Sequence, residues 1–373
     1  GGNSLTLANT TVSATSGTST IRFIGGATNN VVTNANIQGS ASASVATNGG
    51  TIFFSTDAVT ANGNDNNTIS NNNIGPAGAN LPSKAILGNG STTTTAIGNS
   101  GIVISNNNIF DYFGAAVTSS GIATNGGCNT WSITNNRLYQ TGTRTWTTGA
   151  LHAGIDIRSA TATSGAQGFT ITGNTIGFAS NTQTGTYTLT GAGTGAKFLG
   201  ILFNGSVGGA TTNVNNNTVA AVSMTGVTGL GTTTASPFTG ILLQEGNIIS
   251  NGNTIGSQSL AGSLTFSTTT TSGTEIYGIH NFTSNAWTSN NNTVGGISVT
   301  NLGDSGNVLL IGIRAFTGTT VTWNATGNTV GGSVANSMQL NATGAASQVL
   351  GMFTSNAPAV LTSNTVRNLT NNI

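Results

Sequence analysis

One short pattern recurs along this chain and constrains its folding more than anything else in it. An Asn stands two residues before an Ile, Val or Leu, as in TSNNNTVGG (288–296), TGNTVGG (326–332) and TSNTVRN (362–368). Taking the closing apolar residue as an anchor gives Ile37, Ile74, Ile109, Leu138, Ile176, Val219, Ile255, Val294, Val330 and Val366, spaced by 29 to 43 residues. Two residues before each anchor stand Ala35 and then nine asparagines: Asn72, Asn107, Asn136, Asn174, Asn217, Asn253, Asn292, Asn328 and Asn364. A period of this length marks a repeat architecture, in which stacked supersecondary units share one core.

A second landmark precedes most anchors: GIVI at 101, GIDI at 154, GILF at 200, GILL at 240, GIHN at 278, GIRA at 312 and GMFT at 351. Between the landmarks lie alternating segments such as WSITNN and FTITGN, and Trp131, Phe169, Trp287 and Trp323 each stand seven residues before their anchor. Alternation predicts short strands with one buried face, and nothing holds a helical period over ten residues, so the chain reads as all-β. Gly/Thr/Ser-rich stretches such as TQTGTYTLTGAGTGAK absorb the length differences, as loops do on a regular array. With no linker or break in composition, residues 1–373 read as a single β-solenoid domain, 1–20 as an N-terminal strand or docking segment and 21–373 as the repeats.

In a parallel β-solenoid, or parallel β-helix, of about ten coils, equivalent residues stack ~4.8 Å apart. An Asn repeated at one turn then forms a ladder, passing amide hydrogen bonds up and down the stack, whereas a charged residue there would meet its like in every coil. That accounts in part for a chain with only 4% charged residues. A β-propeller, the alternative architecture, explains the period but not the phased Asn.

The units, of the form x-N-x-[IV]-x-x-N-N-T-[IV]-G with G-I strands, resemble the right-handed parallel β-helix repeats of large secreted bacterial surface proteins. They are similar to the Asn/Thr/Gly-rich adhesin-like and filament proteins of Bacteroidetes type, over residues 21 to 368. The resemblance implies a secreted, extracellular or cell-surface protein and carries no catalytic residue with it.

The balance of charge narrows the partners. Eight scattered cations and a formal net charge of +1 offer no basic stripe for nucleic acid or an anionic membrane surface. The longest apolar run, NVLLIGIRAF, is too short to insert in a bilayer. Cys128 is the only cysteine and reads as a small buried hydrophobe. The opening GGNSLTLANTT has no Met and no apolar leader, and reads as a mature or excised segment.

Enzymes of the pectate lyase and polygalacturonase kinds use this scaffold, with carboxylates gathered together and a Lys or Arg for the acidic sugar. Here the acids fall in different units; Asp57 and Asp65 share a turn-like segment and read as solvated. The densest cluster is LHAGIDIRS, where alternation places His152, Asp156 and Arg158 on one outward face as a small salt-bridge patch. His280 and Arg314 take the position of Asp156 in later units, which Val103, Leu202, Leu242 and Phe353 fill elsewhere; both read as solvated. No cofactor or metal motif is present. These features predict a non-catalytic structural protein of a surface filament, adhesin stalk or surface layer, associating with itself head to tail through uncapped ends. The alternative is a carbohydrate-binding or polysaccharide-cleaving β-helix, with a surface glycan as its partner.

Overall fold

A computed structural model of the chain describes residues 2–13, 18–42, 49–55, 62–92, 97–158, 165–191, 195–227, 235–269, 271–283, 285, 287–301, 303, 306–316, 322–355 and 358–373. Asp57 and Asp304 lie outside the described residues.

Three sheets run the length of the stack, and a fourth, of seven strands, joins them from Arg144–Trp146 onward. A typical coil begins with a strand of the long sheet, Leu151–Arg158. It continues through an approach strand, Thr170–Thr172, turns at Asn174, and lays down an anchor strand, Thr175–Gly177, then a closing strand, Tyr187–Gly191. Each strand pairs in parallel with its equivalents one coil away: Ile155 faces Ile122 and Ile201, and Ile176 faces Leu138 and Val219. Pairing between repeats, parallel and in register, makes the chain a parallel β-helix and excludes the propeller, whose blades each close their own sheet. Among the described residues there is no α-helix.

The anchors from Ile37 to Val330 are fully buried and form one continuous core with the strand residues of the other sheets. Trp131, Phe169, Trp287 and Trp323 enter it from the approach side, and the rings of Trp287 and Trp323 stack at 5.4 Å. Val366, the anchor nearest the C-terminal end of the stack, is 49% exposed.

At the turn before each anchor, the Nδ2 and backbone N–H of one Asn both donate to the Oδ1 of the Asn one coil on: Asn72 to Asn107, Asn107 to Asn136, and so to Asn364. The second Nδ2 hydrogen goes to a carbonyl in the coil before, such as Ile69 for Asn107. Between the two ends of the ladder every side-chain lone pair and hydrogen is used, which is how its eight buried amides, Asn72 to Asn328, stay inexpensive. The residue before the ladder position has positive φ throughout, from 54° to 71°: Asn71, Asn106, Asn135, Asn216 and Asn291, Gly173, Gly252 and Gly327, and Ser363 before Asn364. Asn and Gly tolerate that left-handed conformation, hence the recurring Asn-Asn and Gly-Asn doublets. The ladder has an end: its position holds Ala35 and, one coil earlier, Leu5, which faces Ala35 in register.

The Gly-Ile landmark marks a kink in the long sheet. A Cβ on Gly200, Gly240 or Gly278 would lie 2.4 to 2.6 Å from the carbonyl oxygen of the next coil's glycine and press on Val219, Ile255 or Val294. The backbone here rests directly on the anchor column, so no side chain fits. The following Ile also points into the core. Two consecutive inward residues break the alternation, and that decides the geometry of the site.

Candidate functional site

Because of the kink at Gly154, the LHAGIDIRS strand presents its charged residues to opposite faces. His152 turns inward among Tyr112, Tyr187 and Phe198. Asp156 and Arg158 turn outward. The shared outward face predicted for the three residues is therefore corrected: strict alternation holds only on either side of the kink.

Inside, the Nδ1 of His152 meets the Oγ of Ser119 at 2.7 Å and its Nε2 meets the Tyr187 hydroxyl. Gln140 donates to Tyr187 and to the Tyr112 carbonyl, and Arg144 ties this group to Asp111. Burial, with help from the Arg144 charge, pushes His152 down to about 3, so it is neutral. It has partners on both nitrogens, and it serves to order the interior.

Outside, Leu87, Ala123, Asp156, Leu202, Leu242, His280 and Arg314 follow one another in register. Leu202 and Leu242 form a small cluster with Leu151, Ala153 and Leu199, separate from the main core. Val103 does not belong to this column; Gly101-Ile102 precedes an approach strand, Val103–Ser105, and the true equivalent is Gly121-Ile122-Ala123. Nor is the column solvated. Its members are 0 to 6% exposed, His280 at 0% and Arg314 at 6%, against the exposed surface predicted for both.

Two polar sites interrupt this covered face. The first surrounds a cavity of about 160 Å³ lined by Lys84, Leu87, Thr118, Ala123, Thr124, Asn125, Asp156 and Arg158. Arg158 Nε donates to Asp156 Oδ1 at 2.7 Å, and Ser120 Oγ donates to Oδ2 at 3.5 Å. Lys84 is 4% exposed; burial lowers its affinity for its proton, and the Asp156 charge partly restores it. Lys197 is lowered by burial first and by Arg158 next, with Asp156 opposing. One carboxylate thus sits among three cations. Lys84 and Lys197 escaped the sequence reading. Aligning KAIL (84–87) with the Gly-Ile landmark, Ala85 in the glycine's place, would have put Lys84 on this face.

The second site lies three coils on. Arg314 Nη1 donates to Glu275 Oε2 at 2.9 Å and to the Tyr277 hydroxyl, and its guanidinium covers the rings of Tyr277, Phe316 and Phe353. The ring of His280 stacks on Tyr277 at 4.2 Å.

The other candidates are not brought together with these. Asp65 Oδ1 accepts from the backbone and hydroxyl of Ser100 at a turn. Cys128 is buried, its thiol pushed up to about 12, chiefly by desolvation. The nine ladder asparagines lie at the opposite turn of the coil, where they are spent on one another. A second, shorter set of Asn links was missed: Asn30 donates to Asn67, and Asn64 to Asn99.

Among solved structures, the chain is similar to the catalytic unit of a thermostable GH87 alpha-1,3-glucanase from Streptomyces thermodiastaticus strain HF3-3. The identity is 15% and the TM-score 0.28, over 94% of this chain and 62% of that one. The chain therefore spans less than two thirds of that neighbour's length. No family model and no curated protein matches it. The neighbour is a glycoside hydrolase, so the expectation of a chain without enzymatic role does not stand; a TM-score of 0.28 transfers neither a reaction nor a residue.

Proposed function

We propose that the chain is an extracellular carbohydrate-binding β-helix that holds an acidic saccharide against Lys84, Asp156 and Arg158. One observation carries this reading: Lys84 and Arg158 line a cavity with a single carboxylate, Asp156, and Lys197 is near enough for the charges of Asp156 and Arg158 to act on it. Three cations against one carboxylate make the site net positive, which draws an anionic substituent, a uronate carboxylate or a sulfate. Thr118, Thr124 and Asn125 supply hydroxyl and amide partners for ring hydroxyls. The volume suits one ring or one charged substituent. The same groups match what β-elimination from a uronate asks for: a cation on the carboxylate, and an amine whose burial loosens its proton.

Calorimetric titration with polygalacturonate tests this reading. Binding is expected to weaken as salt rises and to fall about tenfold or more in Lys84→Met, the loss of one charge-assisted hydrogen bond. Ultraviolet absorbance of unsaturated product in the same samples reads any elimination. Absence of binding, or binding indifferent to Lys84, would overturn the proposal.

The exposed apolar side chains favour a second reading, assembly through the end faces. Leu5, Ile24 and Val31 on the first coils and Val360, Leu361 and Val366 on the last are 49 to 65% exposed. In such a joint the last coil would meet Leu5 rather than an Asn, so apolar contact and strand pairing would carry it and the ladder would not run through. Sedimentation at micromolar concentration tests this reading, and a chain that stays monomeric would rule it out.

A further inference from the structure

We infer that a cavity of about 560 Å³ at the corner between the anchor and closing sheets binds an uncharged saccharide, held by Phe178, Gln183, Thr186, Thr218 and Leu260. It shares no residue with the Lys84 cavity, and its ligand class rests on the carbohydrate reading above. The cavity arises from unequal connections. Between the anchor strand Thr218–Ala220 and the closing strand Val222–Thr225 stands one residue, Ala221. The same connection takes residues 178–186 in the coil before and 257–263 in the coil after. Two long loops thus flank one short corner. Gln183, Thr186 and Leu260 in these walls are exposed, so a ligand can reach the space between them.

The walls stand ready without a ligand. The Ala221 carbonyl accepts from the Phe178 N–H at 3.3 Å and the Tyr187 N–H at 2.8 Å, which clamps both ends of the first loop. Ser180 Oγ and Thr184 Oγ1, 2.7 Å apart, close that loop on itself. Ser257 Oγ accepts from the Leu260 N–H at 3.1 Å and fixes the second. Phe178, Gln183 and Ala221 have φ of 63°, 59° and 53°. Five described residues other than Gly, Asn and Asp hold positive φ, and these are three of them. Such backbone is unfavourable for these side chains and gathers where a site needs a set geometry.

The lining specifies the ligand. No titratable side chain borders the cavity, so nothing there favours an anion or a cation. Among the described residues, the side chains of Gln183, Thr186 and Thr218 have no hydrogen-bond partner. One amide and two hydroxyls offer donors and acceptors together, and adjacent sugar hydroxyls match that set. Phe178, half-buried, and Leu260, 61% exposed, add apolar surface against which the C–H face of a pyranose packs. A few polar groups on a partly apolar lining, within roughly 300–1,000 Å³, is the usual form of a small-ligand site.

The experiment uses affinity electrophoresis and calorimetry with dextran, laminarin and galactomannan, all neutral, beside polygalacturonate. Phe178→Gly removes the ring and suits the left-handed backbone, so the variant should fold readily. Leu260→Ser removes exposed apolar surface, and Thr218→Val keeps the shape and removes the hydroxyl. Thermal melting checks that each variant folds. The wild type should bind at least one neutral polysaccharide. That affinity should fall about threefold to tenfold in Thr218→Val, the loss of one hydrogen bond, and about as far in Phe178→Gly and Leu260→Ser. Polygalacturonate binding should be unchanged in all three. Lys84→Met should do the reverse, so failure at one site is read separately from failure at the other. A wild-type chain that binds none of the neutral polysaccharides overturns the inference, as does neutral binding that all three variants keep unchanged.

Discussion

The Nδ2 of Asn253 donates to the Oδ1 of Asn292 at 3.0 Å, and the backbone N–H of Asn253 shares that acceptor at 2.9 Å. Asn292 in turn donates to Asn328 and to the Ser250 carbonyl. The ladder therefore has a direction: each Oδ1 accepts from the coil before it, and each Nδ2 gives one hydrogen to the Oδ1 of the coil after it and the other to a carbonyl of the coil before. Removing the Asn292 side chain takes the acceptor from both Asn253 donors and a donor from the Ser250 carbonyl.

Asn292→Ala should therefore destabilise the chain by about 1–3 kcal/mol, the range for leaving buried polar groups unpaired. Asn290, two residues away, is half-exposed, and its side-chain oxygen accepts from the Thr326 backbone N–H. Asn290→Ala should stay within about 0.5 kcal/mol, the usual size of a surface change. Urea midpoints compare the two, and equal midpoints would refute a stabilising ladder.

The glycine column makes a sharper steric demand. A Cβ on Gly240 would stand 2.6 Å from the Gly278 carbonyl oxygen and 2.8 Å from Cγ2 of Ile255, whereas one on Gly142 meets nothing within 4 Å. Gly240→Ala should cost about 1–3 kcal/mol through overpacking. Gly142→Ala should be close to neutral. Thermal denaturation of the two variants separates steric exclusion from a general loss of glycine.

Acid sensitivity should track two histidines. Burial takes His152 and His280 from the ordinary 6.5 down to about 3 in the folded chain. Between those values the unfolded chain binds protons that the folded chain refuses. The contribution is therefore fully present above about pH 6.5 and is lost as pH falls toward 3, by about 1.4 kcal/mol per pH unit for each histidine. At pH 5 this amounts to about 2 kcal/mol each. Urea midpoints should fall between pH 7 and pH 5, and fall less steeply in His280→Phe. Identical slopes in that variant and the wild type would show that His280 titrates normally.

The sequence by itself determined the period, the β class and the phase of every anchor. Each coil repeats one local environment, so Asn72 to Asn364 and the fully buried Ile37 to Val330 each occupy the same environment many times over, and the repetition is visible without coordinates. The tertiary structure alone decided what the outer face does. Two-residue alternation assumes a regular strand, and the close approach of Gly154 to Ile176 interrupts the alternation within Leu151–Arg158, sending His152 inward and Asp156 outward. Lys84 belongs with Asp156 because their strands lie two coils apart in one sheet, across some seventy residues of chain. His280 and Arg314 are buried by long-range packing over the sheet, which no local pattern of a polar residue among apolar ones records. Periodicity is a property of neighbours along the chain; coverage of a face and the meeting of charges across coils are properties of the stack.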